Sequence, residues 1–207
     1  MRKIKLLIKL ILFLPIRIFS KISAFALIDE SSIDHTSAVD SGCRIYHSKI
    51  GRYTCIARNC TVAHSEIGSF CSIADNVMIS PGKHPLLNVS TSPVFYSKQN
   101  LLRKCFVQMD FNEFDKTIIG NDVWIGTHAF IKGGIIVGNG SVIGAYTIVT
   151  KDVEPYSIVV GNPGKVIKKR FDNATISKLL NSKWWEFDND ALQKKAVNIS
   201  DIEKFLE

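Results

Sequence analysis

Five histidines and five cysteines are the side chains of this 207-residue sequence best placed to do chemistry at neutral pH. An imidazole titrates near neutrality and can take a proton from a hydroxyl as that hydroxyl attacks a carbonyl. Cys43, Cys55, Cys60, Cys71 and Cys105 are odd in number and form no C-x-x-C pair, which argues against a disulfide framework or a zinc knuckle. The histidines give no convincing open tetrahedral set for a metal. His35, His47 and His64 fall at turn or face positions of a repeat and read as structural. His84 stands apart. It lies in "ISPGKHPLLNVSTSPVFYS", residues 79 to 97, where the repeat stops. A lone histidine beside proline is by default a turn residue, but this one coincides with a break in an otherwise regular chain.

That chain is built on a short period. Ile33, Val39 and Ile45, then Ile50, Ile56 and Val62, then Ile67, Ile73 and Ile79 are spaced by six within each trio and by five between trios, so units of 17 begin at 33, 50 and 67. After the break Ile119, Ile125, Ile131, Val137, Ile143 and Val149 return at intervals of six. Helices need apolar residues three and four apart and simple strands need alternation, so this spacing is neither. It fits a short strand and a turn, three to a coil, with stacked coils burying a column of aliphatics. The residue after the aliphatic is usually small, as at Gly51, Ala57, Gly68, Gly120, Gly126 and Gly144, which relieves crowding at the corners. The predicted fold is mainly β, a parallel β-helix of hexapeptide type, with three coils before the break and two after it. The cysteines at 43, 60 and 71 each follow a repeat aliphatic by four, a slot for a small buried side chain in a reduced compartment.

The next unit of 17 would begin at His84 itself, so the chain leaves the prism at a coil boundary. Residues 85 to about 117 form the excursion, and "STSPVFY" and "CFVQMDFNEF" carry too many aromatics for a loose tether. A folded arm over a neighbouring surface is expected, since long excursions in compact domains are commonly functional. Beyond Val149 the repeat decays through "GNPG", a turn, into two short amphipathic helices from about Asn173. Trp184 and Trp185 are expected to close off the core or an interface.

Charge narrows the function. The net charge of +7 is concentrated in Arg2, Lys3, Lys5, Lys9, Arg17 and Lys21; outside that segment 20 basic residues meet 19 acidic ones. A nucleic-acid binder spreads its basic patch over the fold, so DNA and RNA are discounted. Residues 1–28 mix these cations with an apolar run that Lys9, Pro15 and Arg17 interrupt, which is poor for a membrane span or a signal peptide. The segment reads as a helix that lies on a membrane surface or packs on protein. The domains are therefore 1–28, a β-helix over 29–160 carrying the loop 85–117, and a C-terminal tail with helices over 161–207.

"GKHPLLNVSTSPVFY", the run "IIGNDVWIGTHAFIKGGIIVGNGSVIGAYTIVTKDVEPYSIVVGNPGKVIKKRF" and "KWWEF" resemble the hexapeptide-repeat acetyltransferases. The closest likeness is to the xenobiotic acetyltransferase branch, which includes chloramphenicol and streptogramin acetyltransferases and many sugar O-acetyltransferases. The resemblance covers roughly residues 30 to 207. It implies a left-handed β-helix, a homotrimer and acetyl-CoA held between neighbouring prisms, with no metal. It implies His84 as the general base. Thr127, Ala145, Thr150 and Lys151 match positions that line the CoA groove, Ala145 by letting the pantetheine arm approach the backbone. Lys165 and Lys168 replace arginines that face the CoA phosphates, supplying charge without the bidentate fork. His128 matches a groove residue that is not the base. Gamma-class carbonic anhydrases share the prism, but their three-histidine zinc site is not found here. The expected activity is acetyl transfer to a sugar hydroxyl of a surface polysaccharide or its lipid-linked precursor, in the cytoplasm or at the inner face of its membrane. Antibiotic O-acetylation is the first alternative, and a non-catalytic trimeric scaffold comes below both.

Overall fold

The computed structural model describes residues 21–207. Most of the expected N-terminal helix, with its membrane-surface reading, lies outside the described residues. From Ile22 onward the chain is already prism: Ile22 bridges Val39, and Leu27–Asp29 pairs in parallel with Arg44–Tyr46. The β-helix thus begins ahead of the boundary at 29. Ile22 and Ile28 continue the repeat downward, since Ile28 stacks on Ile45 as Ile33 does on Ile50.

Three parallel sheets make the three faces. The first carries Leu27–Asp29, Arg44–Tyr46, Thr61–Ala63, Met78–Ile79, Phe130–Ile131 and Ile148–Val149. The second carries Ser32–Ile33, Lys49–Ile50, Ser65–Ile67, Thr117–Ile119 and Ile136–Val137. The third carries Ala38–Val39, Cys55–Ile56, Ser72–Ile73, Trp124–Ile125, Val142–Ile143 and Ser157–Val160, and ends in an antiparallel strand, Lys165–Lys169. Each aliphatic of the predicted repeat pairs with its counterpart one coil away and points inward. Ile45, Ile56, Val62, Ile79, Ile125, Ile131, Val137 and Ile143 are wholly buried. Such a column removes nearly all of each side chain from water, worth about 1.5–3 kcal/mol per Ile or Val before entropy is counted. Val153 and Val159 add a partial coil above Val137 and Ile143.

The corners show why small residues recur. A Cβ on Gly126 would lie 2.5 Å from the Ala145 nitrogen and 2.9 Å from its Cα, both backbone atoms of the next coil. Farther round each turn the backbone is left-handed: Tyr53, Asn59, Phe70, Asn76, Asp122, His128 and Tyr146 have φ between 54° and 62°. That conformation costs a non-glycine residue of order 1 kcal/mol. It is offset because each N–H meets an oxygen one coil below: the Thr36 hydroxyl for Tyr53, and a carbonyl for the rest, as His128 does with Asp75 at 3.1 Å and Tyr146 with Thr127 at 2.9 Å. Polar ladders run beside them. Cys43, Cys60 and Cys71 are buried free thiols, and each donates to a carbonyl of the coil above: Ala57, Ala74 and Gly120. Burial pushes the Cys71 thiol up to about 12, so it stays protonated.

The tail folds over the corner between the second and third faces as α1 (Asn173–Ser182), α2 (Asn189–Lys195) and α3 (Ile202–Leu206), three short helices where two were expected. Asp172, Asp188 and Asp201 cap them through Thr175, Ala191 and Lys204. The Trp185 carbonyl accepts from Arg52 at 2.8 Å, and Trp184 packs against Phe70 and Phe205. Both tryptophans therefore seal this tail to the prism.

Candidate active site

The excursion leaves and rejoins at the corner between the first and second faces. Ile79 completes its rung and Ser80, with φ 54°, turns the chain outward. Ile119 then takes the rung place that position 84 would have held, pairing with Ile67. Thr117 is already in strand, so the excursion ends at 116. Its two legs are clamped together. Ser80 Oγ donates to the Asp115 carbonyl at 2.8 Å, Lys83 N donates to the Glu113 carbonyl at 2.8 Å, and Lys83 Nζ pairs with the Asp115 carboxylate at 2.6 Å. Phe114 stacks on His64 with centroids 4.4 Å apart, and His64 on His47 at 4.6 Å, with Glu30 Oε2 3.0 Å from His47 Nδ1. His47 and His64 are thus corner residues on which the returning leg rests. Burial, with His47 beside it, holds His64 below the ordinary imidazole range.

Within the arm the backbone makes one 3-10 turn, Pro93–Phe95, and then buries Tyr96 edge-on against Phe111. Phe95 stacks on Phe106. Leu86, Leu87, Val89 and Leu101 point away from their own prism and are at least 83% exposed. His84 lies at the base of this arm with its ring exposed. Its Nδ1 is 2.9 Å from the Thr91 carbonyl and 2.7 Å from Tyr96 Oη. Nε2, across the ring, takes part in neither contact. Burial and nearby Glu113 push the Tyr96 phenol up, so it remains neutral. Thr91 and Tyr96 went unmarked in the sequence. They follow His84 without any periodic relation, and the aromatic content of "VFY" is the only trace they leave.

The residues matched to a CoA groove divide between two corners. Thr127 and Ala145 lie on successive coils at the corner between the third and first faces. Thr127 Oγ1 donates to the Asp75 carbonyl at 2.8 Å, and the His128 ring beside it lies flat on Tyr146, 4.7 Å apart and 7° from parallel. The "GNPG" turn docks above the same corner: Gly161 N donates to Thr147 Oγ1 at 3.2 Å and Gly164 N to the Ile148 carbonyl at 2.8 Å. Lys165 follows at once, and it and Lys168 project from the exposed terminal strand. Thr150 and Lys151, by contrast, follow Ile148–Val149 at the corner from which His84 departs. The chain therefore groups Thr127, Ala145 and Lys165 on one edge, and His84, Thr150 and Lys151 on another. It does not bring the two groups together. Among the described residues no cluster of three or more His, Cys, Asp or Glu is placed to hold a metal ion, and no helix is long and apolar enough to cross a membrane.

Comparison with known proteins bears on the repeat and on the fold. Residues 116–151 match the family described as bacterial transferase hexapeptide (six repeats). A chloramphenicol acetyltransferase of Agrobacterium fabrum is 58% identical over 77 residues, 37% of this chain and 37% of its own length. One of Klebsiella aerogenes is 45% identical over 104 residues, 50% of this chain and 49% of that protein. The chain thus matches about a third to a half of the length of these relatives. Among solved structures, AntD, an N-acyltransferase from Bacillus cereus crystallised with dTDP-4-amino-4,6-dideoxyglucose and coenzyme A, superposes with a TM-score of 0.61 at 23% identity. The match covers 80% of this chain and 88% of AntD, a likeness of fold. The resemblance to hexapeptide-repeat acetyltransferases holds on sequence and on fold.

Proposed function

We propose that this chain is an acetyl-CoA-dependent O-acetyltransferase in which His84 is the general base. The observation that carries the reading is the setting of His84. It sits where the prism opens, Nδ1 is occupied by the loop that follows, and Nε2 remains for an acceptor. In the reaction Nε2 takes the proton of the acceptor hydroxyl as its oxygen bonds to the thioester carbonyl carbon. The tetrahedral oxyanion collapses with breakage of the C–S bond. The proton then passes from the imidazolium to the departing CoA thiolate, so the base is regenerated and no covalent enzyme intermediate is needed.

Separation of the two residue groups onto different edges supports a homotrimer, in which the His84 edge of one protomer faces the Thr127–Ala145 edge of the next. The apolar arm tips then bury against that neighbour. Thr127, Ala145, Thr150 and Lys151 line the pantetheine path, and Lys165 and Lys168 meet the CoA phosphates. The acceptor we favour is a sugar hydroxyl of a surface polysaccharide or its lipid-linked precursor. The basic, apolar residues ahead of Ile22, within the 1–26 segment read from sequence, would bring the enzyme to the inner membrane surface. A second reading, antibiotic O-acetylation, is favoured by the identity shared with chloramphenicol acetyltransferases. CoA release from acetyl-CoA, assayed with sugars, nucleotide sugars, oligosaccharide repeats, chloramphenicol and a streptogramin, separates the two. Release with saccharides alone supports the first reading, and release with an antibiotic alone replaces it with the second. No release with any acceptor, together with no acetyl-CoA binding, leaves a trimeric scaffold.

A further inference from the structure

We propose that Tyr96 is a positioning residue for His84: its buried hydroxyl and the Thr91 carbonyl together hold a proton on Nδ1 and keep the Nε2 lone pair available as the base. The inference rests on the reading of His84 given above. Two oxygens converge on one ring nitrogen, at 2.9 Å from Thr91 and 2.7 Å from Tyr96. A carbonyl only accepts. With the proton on Nε2, the Nδ1 lone pair would face the carbonyl lone pairs at hydrogen-bonding distance, and only the Tyr96 O–H would be favourable. With the proton on Nδ1, the N–H points between two acceptors and both contacts attract. The second arrangement is the one that leaves Nε2 basic. When the ring becomes imidazolium during attack, both hydrogen bonds become charge-assisted and strengthen.

The surroundings fix Tyr96 for this role. It is 3% exposed, its ring meets Phe111 at 5.3 Å and 68°, and its carbonyl accepts from Met109 at 3.2 Å. Its ring also stands edge-on to the imidazole, 82° from parallel. Of the charged groups in and beside the arm, Glu113 acts on Tyr96, and Lys83 pairs with Asp115. An exposed imidazole would otherwise distribute between its tautomers and rotamers. The arm therefore supplies more than a cover: it sets which nitrogen reacts.

The test is Tyr96→Phe in the full chain, which keeps the ring and its packing and removes only the hydroxyl. Nitrogen-15 and proton NMR of the His84 imidazole are read alongside kcat and KM. In the wild type the neutral ring should carry its proton on Nδ1. In the variant the Thr91 carbonyl alone should still favour Nδ1–H, and the Nδ1 nitrogen and proton shifts should move as the shorter hydrogen bond is lost. With one hydrogen bond to the imidazolium gone, kcat drops roughly three- to tenfold. KM for acetyl-CoA should not change. A wild-type ring protonated on Nε2 overturns the proposal. So does a variant with unaltered Nδ1 shifts and kcat, or a variant with raised kcat, in which the hydroxyl would have been donating to Nδ1 and holding the other tautomer. The NMR arms judge Tyr96 even if no acceptor supports turnover, whereas turnover that survives loss of the His84 ring defeats the reading of His84 instead.

Discussion

Replacing His84 with alanine separates its chemical role from its structural one, because the two have very different magnitudes. His84 is exposed and is not part of the buried aliphatic column, so the fold loses mainly what the arm loses. That is two contacts at Nδ1 and the partner of a hydroxyl that is nearly buried. A buried hydroxyl left unpaired costs about 1–3 kcal/mol. For a chain of this size that corresponds to a melting-temperature drop on the order of 2–12 °C. The chemical loss is larger. Removal of a general base costs on the order of 10²–10⁴ in rate, about 2.7–5.5 kcal/mol of barrier. The expected result is a folded protein that still binds acetyl-CoA, since Thr127, Ala145, Thr150 and Lys151 are all intact, but releases CoA a hundredfold or more slowly. His84→Gln, which can still donate to Thr91, should regain stability and not rate. Acceptor-dependent CoA release, calorimetric titration with acetyl-CoA and a thermal melt suffice. Turnover within about threefold of wild type would refute the argument, and so would rate loss that merely tracks loss of CoA binding.

Further outcomes follow from other parts of the molecule. Lys165→Ala and Lys168→Ala should each raise KM for acetyl-CoA by roughly three- to tenfold with kcat unchanged, and the effect should shrink with salt because these lysines are exposed. A KM insensitive to both would leave them a solvated strand. Gly126→Ala places a Cβ 2.5 Å from the Ala145 nitrogen, where only backbone can yield; a loss of about 1–3 kcal/mol on thermal or denaturant unfolding is expected. An unshifted midpoint would show that the coils can spread at that corner. His64, held below the ordinary imidazole range by burial, binds fewer protons folded than unfolded as pH falls through the range just under 6.5. Stability should therefore fall with pH in that window. His64→Phe, which keeps the stack between His47 and Phe114, should flatten the melting temperature between about pH 7 and 5.5. An equally steep decline in the variant would place the sensitivity elsewhere.

Much of the architecture was legible in the residues because a solenoid is close to a one-dimensional object. Each coil contacts only its neighbours, so a period of five and six written along the chain maps directly onto stacked rungs. Ile33 to Ile79 and Ile119 to Val149 all fall where the period places them. The ends were misread for the same reason. Ile22 and Ile28 keep the period but sit in a run of cations and aliphatics that also suits a helix, and only their pairing with Val39 and Ile45 reveals a strand. Three helices appear in the tail in place of two because the last, Ile202–Leu206, is too short to show periodicity and is defined by the Asp201 cap and by Phe205 against Trp184.

The candidate site divides along similar lines. His84 could be singled out from sequence because it interrupts a count, and the residues proposed to line a CoA groove because they fall in matched motifs. Their distribution over two corners, the clamp of Lys83 on Asp115, the rest that His64 gives Phe114, and the convergence of Thr91 and Tyr96 on one nitrogen were not legible. These contacts join residues at separations that no period relates, and their geometry is set by how a 3-10 turn and a few aromatics fold back on themselves. By itself the sequence determined the stack of coils, the buried column and the place where it opens, because local spacing and burial dictate them. The tertiary structure alone decided which groups surround His84 and which nitrogen they leave free, because a hydrogen bond depends on fractions of an ångström between side chains and carbonyls that the chain brings together only when folded.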